Sequence, residues 1–341
     1  MTRRLRDESG EPDAGRPPEL SGVVVVWRGG EDLARLVESW PADPRFELVV
    51  VLNDASDIEP QIGAAGRRVV FLEPGRNLGF AGGANRGIAA AGASNLLVLN
   101  PDAQPEPGAL EALAEGFTEY PDAAGLVPRL VGEDGRSQWQ WQLRPLPTPG
   151  RLLLQALLLD TVSGPRDEPA AGTSIEQPAA AALAMRRSVI EEMGGFDERF
   201  FPAWFEDVDL ARRLADRGRR LLYLPRAVFR HRLGGTVPSL GYGRFLFVYY
   251  RNLIRYLRKH HGRWNAVATQ VLVPVGMCLR LLLLALVKPR RARSRGEAAQ
   301  GLVLVSLGAL SGWRLPRSWS RELEPERART DTGGGRDVSK G

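Results

Sequence analysis

The first hundred residues alternate short apolar segments with segments of helical periodicity, and this alternation restricts the possible folds more than any other feature. A helical pattern over Glu31–Trp40 follows the first apolar segment, and a second helix is predicted from about Gly83 to Ala91, ended by Gly92. Uninterrupted apolar segments are typical of strands buried on both faces. Strands that alternate with helices form βαβ units, so the sequence predicts a mostly parallel sheet flanked by helices. The predicted strands are Val23–Trp27, Leu48–Leu52, Val69–Leu72 and Leu96–Leu99.

Polar residues come directly after two of these predicted strands. Asn53, Asp54 and Ser56 follow the second strand, and Asn100 and Asp102 follow the fourth. Sheets of this kind bind ligands at the carboxyl ends of their strands. The sequence therefore predicts a binding site at that edge of the sheet.

The glycine-rich segment 77–88, NLGFAGGANRGI, does not have the spacing of a dinucleotide-binding fingerprint and does not follow the first strand. A Walker loop is also absent from the sequence. Gly79, Gly82 and Gly83 fit two interpretations: a tight turn into a helix, or a close approach of the backbone to a ligand. The sequence leaves both open.

The segment 194–231 carries the second concentration of polar residues. Glu206, Asp207 and Asp209 lie at the predicted start of a helix that Gly218 ends, and His231 follows the next strand. Acidic residues in a first helical turn stabilise the helix dipole, so a solvated acidic N-terminus is one interpretation. The aromatic residues just before the helix favour a walled pocket instead. They are Phe200, Phe201, Trp204 and Phe205.

Composition narrows the functional class. The chain has 341 residues, a net charge of +6 and one cysteine, Cys278, which excludes an internal disulfide and a four-cysteine zinc site. The positive charge suits an anionic small molecule or an anionic membrane surface, and no nucleic-acid-binding motif is present. No apolar run follows the N-terminal arginines, so no secretory signal is predicted, and residues 1–20 and 321–341 are expected to be disordered tails.

Four segments in order resemble glycosyltransferase family 2, especially its rhamnosyltransferase-like bacterial members. They are VVVLNDASD (49–57), NLGFAGGANRGI (77–88), LLVLNPDAQPEPGAL (96–110) and GGFDERFFPAWFEDVDLARRLADRG (194–218), ending at His231. The resemblance implies an α/β GT-A fold over residues 21–262, with a nucleotide-binding half (21–130) and an acceptor or catalytic half (131–262). It also implies transfer of a sugar from a nucleoside diphosphate to a hydroxyl, with inversion and a divalent metal.

The resemblance assigns roles residue by residue. Asp102 matches the metal-binding aspartate, and His231 matches a second candidate ligand for Mg²⁺ or Mn²⁺. Asp207 matches the general base of an inverting transfer, Glu206 is expected to orient the acceptor, and Asp209 is expected to cap or support its helix. The residues expected to bind the donor are Asn53, Asp54, Ser56, Asn77, Gly79, Gly82, Asn85 and Asn100.

The sequence departs from the family pattern at three places. Asn53-Asp54 stands where the family usually has Asp-Asn, so Asn53 would meet a uracil or thymine base through its amide oxygen. Trp27-Arg28-Gly29 replaces the usual segment after the first strand, and Trp27 would either stack on the base or fill the core. The alanine-rich segment 179–184 replaces a usual glycine. The expected donor is a UDP- or dTDP-linked sugar.

Three functions are compatible with these observations. The first is an inverting glycosyltransferase, with rhamnose among the candidate sugars, that uses a glycan or lipid-linked acceptor in cell-envelope or surface polysaccharide synthesis. The second is a catalytically weak homologue that binds nucleotide sugar or glycan as an assembly partner. The third, a nucleotidyltransferase, is hinted at by Arg28-Gly29-Gly30 but does not account for the segment 194–231.

The remaining segments bear on the acceptor and on location. Trp139 and Trp141 would share a face if their segment is a strand, forming either a sugar or lipid platform or part of the core. His260-His261 is expected to be a solvated helix end. Within a helical extension (263–320), the apolar segment 266–287 precedes a basic cluster at 288–295. We expect peripheral attachment to the cytoplasmic, inner face of the plasma membrane, with core packing or a spanning helix as alternatives.

Overall fold

The computed structural model of the chain describes residues 2–3, 16–27, 30–53, 66–157, 167–232, 240–289, 291–314 and 319. Its centre is one mixed sheet. The strands are β1 (Leu20–Val26), β2 (Phe46–Leu52), β3 (Arg68–Leu72), β4 (Asn95–Leu99), β5 (Ala103–Pro105), β6 (Gly125–Val131), β7 (Leu143–Arg144), β8 (Ser174–Ile175), β9 (Gln177–Pro178), β10 (Ala182–Arg186) and β11 (Leu221–His231). β7 and β9 form a separate two-stranded sheet.

The strand order in the large sheet is β3-β2-β1-β4-β10-β6-β11-β5, with β8 also paired to β11 and the pair Thr2–Arg3 lying against β3. β3, β2, β1 and β4 are parallel, as the sequence predicts. β10 is antiparallel to both β4 and β6, and β6 is parallel to β11. The carboxyl ends of β4 and β11 are thereby brought to one region of the sheet.

The helices are α1 (Gly30–Ser39), α2 (Gly79–Ala90), α3 (Ala109–Glu119), α4 (Trp139–Gln142), α5 (Pro149–Ala156), α6 (Arg187–Glu192), α7 (Glu206–Asp216), α8 (Tyr242–His260), α9 (Arg263–Leu283) and α10 (Arg295–Ser311). Alternate residues of the central strands enter two cores on opposite faces of the sheet. α1 and α3 cover one face, and α2, α6 and α7 cover the other. A third core joins α5, α8, α9 and α10.

Two predicted boundaries differ from the structure, and the difference at the start of α2 has a physical cause. The first strand ends at Val26 rather than Trp27. α2 begins at Gly79 rather than near Gly83, and its glycines pack on the sheet: a Cβ atom on Gly83 or Gly87 would lie 2.7 or 2.4 Å from a side-chain carbon of Val25 or Val23. The glycines that weaken the helical pattern in the sequence therefore allow the helix to approach β1 closely.

One of the C-terminal helices, α9, packs on α5. Among the described residues, α9 is long and apolar enough to cross a membrane by length and composition, and 28% of its apolar window is buried. Its Arg280, costly in a bilayer, donates to the carbonyls of Ala156 and Gln155 at 2.8 Å each. Gly276 lies against the same end of α5, since a Cβ there would be 1.8 Å from the Ala156 oxygen.

Candidate active site

Asp102 and His231 form a buried pair at the edge of the sheet. β5 and β11 are antiparallel with His231 opposite Ala103, so the residue before β5 lies beside the end of β11. The distance from Asp102 Oδ1 to His231 Nε2 is 3.7 Å, and their side chains are 9% and 3% exposed. The structure therefore brings together the two predicted metal ligands.

Gln138 fixes the ring of His231. Its Nε2 donates to the backbone carbonyl of His231 at 2.8 Å, which turns its Oε1 toward His231 Nδ1, 2.9 Å away. Because that oxygen can only accept, Nδ1 carries the proton and Nε2 presents a lone pair toward Asp102. Trp141 stacks on the ring, with centroids 5.3 Å apart. No local pattern indicates a role for Gln138, which reaches the site through tertiary packing.

Burial controls the charge of this pair. Burial, aided by the nearby carboxylate of Asp32, raises the pKa of Asp102 to about 6. Burial lowers the pKa of His231 to about 4. At neutral pH the histidine is neutral and the aspartate is mostly ionised, which are the forms that coordinate a cation.

The metal-binding side chains fit a Mg²⁺ or Mn²⁺ ion only in part. The described residues contain no cluster of three or more histidine, cysteine or acidic side chains suited to a metal. One carboxylate and one imidazole nitrogen remain, so substrate oxygens and water would complete the coordination. Arg232, which no sequence motif indicates, lies near Asp102 and forms an ion pair with Asp32, 2.9 Å from each of its oxygens.

Glu206 and Asp207 are the first two residues of α7, and the two residues before them have an unusual backbone conformation. Trp204 and Phe205 both have positive φ, 71° and 75°, a conformation costly for bulky residues. Asn252 of α8, fully buried, donates from Nδ2 to the carbonyls of Phe200, Ala203 and Trp204 at 2.9–3.1 Å. This side chain was not singled out in the sequence, and it holds the strained turn.

The two carboxylates have different surroundings. Asp207 is partly exposed and accepts hydrogen bonds from the backbone N–H groups of Ala180 (3.3 Å) and Val208 (2.8 Å). Glu206 is 6% exposed, and its Oε2 has no hydrogen-bond partner among the described residues. Burial, and then the charge of Asp207, raises the pKa of Glu206 well above its usual range.

One peptide segment connects Glu206 and Asp207 (the acidic pair) to Asp102 and His231 (the metal pair). The N–H of Ala180 donates to Asp207, and the carbonyl of the next residue, Ala181, accepts from the N–H of Asn100 at 2.9 Å. Asn100, partly exposed, lies two residues before Asp102. The alanine-rich departure at 179–184 therefore runs between the two halves of the site.

Asp209 has a structural role, in line with the expectation that it supports its helix. It is fully buried and binds Arg213 (2.8 Å), Lys259 (2.5 Å) and His260 (2.7 Å). Burial alone would raise its pKa, but the hydrogen bonds from His260 and Lys259 outweigh it, and the pKa is lowered. The prediction of a solvated end at His260 is wrong, because its side chain is 8% exposed and held by Asp209.

The predicted donor residues separate into distinct environments. Asn53, 2% exposed, uses its amide oxygen to accept from the Leu78 N–H at 2.9 Å, and its Nδ2 donates to Asn77 Oδ1 and the Gly79 carbonyl at 3.0 Å each. Asn77 Oδ1 also accepts from the Gly79 N–H at 2.8 Å. The departure at residue 53 thus shapes the loop 77–79, and contact with a donor base stays a prediction. Asp54 and Ser56 lie outside the described residues.

Two of the residues expected to bind the donor, Asn85 and Gly82, make close contacts within the chain. Asn85 exchanges two hydrogen bonds with the backbone of Phe196 (2.8 and 2.9 Å) and donates to Glu198 at 3.0 Å, so its amide binds the chain itself. Gly82 is buried in α2, where a Cβ would lie 3.0 Å from that of Leu78. Gly79, by contrast, has φ +69° and lies against Phe201 and Pro202, where a side chain would collide at 2.7–2.8 Å. Its role is at least a close backbone approach between the two halves of the site.

The tryptophans of segment 138–142 do not share a face. The segment forms the short helix α4 rather than a strand. Trp141 packs on one core and on His231, whereas Trp139 packs on the other core. Of the two interpretations, the structure favours part of the core, because the shared face that a platform needs depends on a strand.

The comparisons with known proteins agree with this architecture. Residues 21–194, more than half of the chain, match the family described as Glycosyl transferase family 2, and the chain belongs to that family. Among curated relatives, it is 28% identical over 304 residues to the N-acetylglucosaminyl-diphospho-decaprenol L-rhamnosyltransferase of Mycobacterium tuberculosis, covering 81% of this chain and 96% of the relative. It is 30% identical over 231 residues to the pre-mycofactocin glycosyltransferase of the same species, covering 63% of this chain and 44% of that relative.

Solved structures confirm the GT-A fold. The mannosyltransferase PcManGT of Pyrobaculum calidifontis, in complex with GDP-Man and Mn²⁺, aligns with a TM-score of 0.52 and 14% identity over 91% of this chain and 92% of that one. GalNAc-T7 with UDP, GalNAc and Mn²⁺ aligns with a TM-score of 0.51 and 17% identity over 72% and 48%. At these identities the likeness establishes the fold alone. The predicted fold and family membership are thereby confirmed.

Proposed function

We propose that this glycosyltransferase is metal-dependent and inverting, and that it transfers a sugar from a nucleoside diphosphate to a hydroxyl of a lipid-linked acceptor. The observation that carries the proposal is the connection of the Asp102–His231 pair to the Glu206–Asp207 pair through Ala180–Ala181. A cation-binding pair beside a carboxylate base is what transfer from a diphosphate leaving group needs.

On the donor side, Asp102 and His231 would hold Mg²⁺ or Mn²⁺. The cation supplies charge neutralisation of the diphosphate as its bond to the sugar breaks. The neutral histidine, with its lone pair turned toward Asp102 by Gln138, is ready to coordinate without losing a proton. The Mn²⁺ ions of the two fold neighbours support this choice of metal.

On the acceptor side, Asp207 takes the proton of the attacking hydroxyl. The acceptor oxygen forms the new bond to the anomeric carbon from the face opposite the diphosphate, which leaves with the electron pair of the broken bond. The two backbone N–H groups on Asp207 fix its orientation, and its partial exposure lets it reach a substrate. Burial and the charge of Asp207 raise the pKa of Glu206, which favours its protonated form, and in that form it can donate a hydrogen bond that orients the acceptor.

The relatives suggest the substrates. The rhamnosyltransferase relative is named for a diphospho-decaprenol acceptor, which supports a lipid-linked acceptor and a rhamnosyl donor for this chain. We infer a UDP- or dTDP-linked sugar and a role in cell-envelope polysaccharide synthesis. Asp54, Ser56, Asn77, Gly79 and Asn100 remain the proposed donor contacts, with Asn53 acting through the 77–79 loop.

Attachment to the inner face of the plasma membrane is part of the proposal. α9 exposes large apolar side chains along one face, and α10 adds another row. These residues, 42–75% exposed, are Trp264, Val267, Val271, Val275, Leu279, Leu282, Val303, Leu307 and Leu310. The anchoring of Arg280 to α5 favours a helix that lies on the bilayer over one that crosses it. The adjacent basic residues Lys288, Arg291, Arg293 and Arg295 suit anionic lipid headgroups.

A direct assay tests the proposal. The full chain is incubated with dTDP- and UDP-sugars and a short-chain prenyl-diphosphate-linked N-acetylglucosamine, with Mn²⁺ or with a chelator. We expect transfer from at least one donor, loss of transfer with the chelator, and a product whose anomeric configuration by NMR is opposite to that of the donor. Retention of configuration, or full activity in the chelator, would overturn the mechanism.

A further inference from the structure

Two arginines near the acceptor side have no acidic partner in the described part of the chain. Arg144, in β7, has a buried Nε without a hydrogen-bond partner there. Arg291, just before α10, is exposed and lies with its guanidinium carbon 5.2 Å from the centre of the Phe245 ring. By contrast, Arg129, Arg213 and Arg230 each pair with a carboxylate at 2.6–2.8 Å. Guanidinium groups without carboxylate partners are suited to binding phosphate.

The charges of both arginines act on the hydroxyl of Tyr249. Burial raises the pKa of Tyr249, and the charge of Asp207 raises it further, whereas a hydrogen bond from Gln155 and the charges of Arg144 and Arg291 lower it. Gln155 Nε2 donates to the Tyr249 hydroxyl at 2.8 Å. The tyrosine hydroxyl therefore lies within the electrostatic reach of both arginines and of the proposed base.

Packing connects each arginine to Asp207 by a separate route. The Phe245 ring under Arg291 is 5.9 Å from that of Tyr249, which is 5.2 Å from that of Phe205, two residues before Asp207. The backbone of Arg144 in β7 lies opposite that of Gln177 in β9, within the two-stranded sheet. The chain continues from β9 to Ala180, whose N–H donates to Asp207.

The same place borders the apolar surface of the C-terminal helices. Leu286 and Val287, 76% and 68% exposed, come just before the loop that carries Arg291. Lys288 folds back in that loop and donates to the Ala292 carbonyl at 2.6 Å. Apolar side chains, arginines and a carboxylate are the groups that would contact, respectively, a lipid, the phosphate that links it to a sugar, and the sugar hydroxyl.

We propose that Arg144 and Arg291 form an anion subsite that binds the phosphate or diphosphate of a lipid-linked acceptor. This inference rests on the proposed function and deepens it, because it assigns a binding site to the acceptor. The subsite positions the sugar relative to Asp207 and favours acceptors that carry phosphate. Bilayer phospholipids carry the same chemistry, so the test separates the two sources.

Kinetics with two acceptors test the subsite. The probes are N-acetylglucosamine on a short prenyl diphosphate and octyl N-acetylglucosaminide, both below their micellar concentrations and without bilayer. Arg144→Gln and Arg291→Gln should raise KM for the diphosphate acceptor by about 10- to 100-fold, the loss expected for a charge-assisted hydrogen bond. KM for the donor, and kcat/KM for the phosphate-free acceptor, should stay unchanged.

Arg295→Gln is the matched control, since Arg295 is exposed in the same basic segment. It should leave KM for the diphosphate acceptor unchanged and should weaken binding to phosphatidylglycerol vesicles as much as Arg291→Gln does. Arg144→Lys, which keeps the charge, should restore part of the affinity that Arg144→Gln loses. An equal rise in KM for Arg295→Gln would assign the effect to general charge and contradict the subsite.

Calorimetry keeps the result independent of turnover. Short-chain prenyl diphosphate is titrated into the wild-type chain without donor and should bind, with binding lost in Arg144→Gln and Arg291→Gln. Binding that depends on these arginines in a protein that transfers no sugar would support the subsite and reject the proposed function. Unchanged binding and unchanged KM in both variants would overturn the subsite alone.

Discussion

At the scale of single residues, the surroundings rather than the chemical type determine what each polar group can do. Glu206 and Asp207 are neighbours on α7, yet one is buried without a partner and the other is partly exposed with two backbone donors. Burial likewise keeps His231 neutral beside the mostly ionised Asp102. These differences support the proposal that Asp207 is the base and that Asp102 and His231 hold the metal.

Replacing Glu206 with glutamine should stabilise the fold at neutral pH. Because the pKa of Glu206 is raised in the native state, the penalty for burying its charge is absent below its ordinary pKa of 4.5 and grows as the pH rises above it. Glu206→Gln should raise the free energy of unfolding by about 1–3 kcal/mol at pH 7 and by little at pH 4. Urea unfolding at both pH values measures this. Glu115→Gln, at an exposed position, is the control, and an equal gain at both pH values would contradict the account.

Gln138 should matter for metal affinity without touching the metal. Gln138→Ala removes the group that fixes the tautomer and orientation of His231, so Mn²⁺ binding should weaken by about 10- to 100-fold. Calorimetric titration with Mn²⁺ and nucleoside diphosphate measures the change. Gln270→Ala, which breaks a hydrogen bond to Ala309 on the C-terminal helices, should leave Mn²⁺ affinity unchanged. Equal affinities in wild type and Gln138→Ala would remove Gln138 from the site.

The sequence was a good guide to residues whose partners follow from the family motif and a poor guide to those placed by tertiary packing. Asp102 and His231 come from the motif, and the structure brings them together. The family match places Asn85 among the expected donor contacts, but it does not reveal the partner that its amide has in the fold, Phe196, which lies 111 residues away. Gln138 is similarly separated from His231 by 93 residues, so no local pattern could reveal it.

At the scale of elements, α8 supports the turn at residues 199–205, which directly precedes Glu206 and Asp207. It packs on α9 and α10 on one side, and on the other Arg251 and Arg255 donate to the carbonyls of Phe201 and Arg199. Asn252 binds three further carbonyls of the same turn. The helix therefore connects the apolar surface to the turn that presents Glu206 and Asp207.

Asn252→Asp tests that support. The substitution keeps the size and the oxygen that accepts from Arg255 but removes both donors. We expect a loss of about 1–3 kcal/mol in the free energy of unfolding and a fall in kcat larger than the change in donor KM. Urea unfolding and steady-state kinetics measure these. Asn265→Asp, at an exposed asparagine that donates to a single carbonyl, is the control, and wild-type kcat in Asn252→Asp would contradict the role.

The exposed face of α9 should control membrane binding. Val271→Glu and Leu282→Glu place charges where 66% and 74% exposed apolar side chains stand, so binding to phosphatidylglycerol vesicles should fall by at least about tenfold for the double variant. Leu154→Glu, an exposed leucine of α5, is the control for added charge. Vesicle co-sedimentation measures the binding. Unchanged binding in the double variant would place the membrane contact elsewhere.

At the scale of the whole molecule, the sheet topology assembles the site from distant parts of the chain. The parallel part of the sheet, β3-β2-β1-β4, was predictable because its strands are apolar and separated by helices. The insertion of antiparallel β10 between β4 and β6 was not, since its pairing with β4 joins residues 95–99 to residues 182–186. That insertion brings Ala180–Ala181 between the metal pair and the acidic pair.

The most direct test of the central claim is the turnover of Asp207→Asn. The variant keeps the shape of Asp207 but cannot accept the proton, and only one of its two oxygens remains to accept from a backbone N–H, so kcat should fall by about 10²–10⁴-fold while Mn²⁺-dependent donor binding survives. Single-turnover transfer and donor calorimetry on the same preparation give both quantities. Turnover within a few-fold of wild type in Asp207→Asn would contradict the account, and the same loss in Glu206→Gln alone would move the base to Glu206.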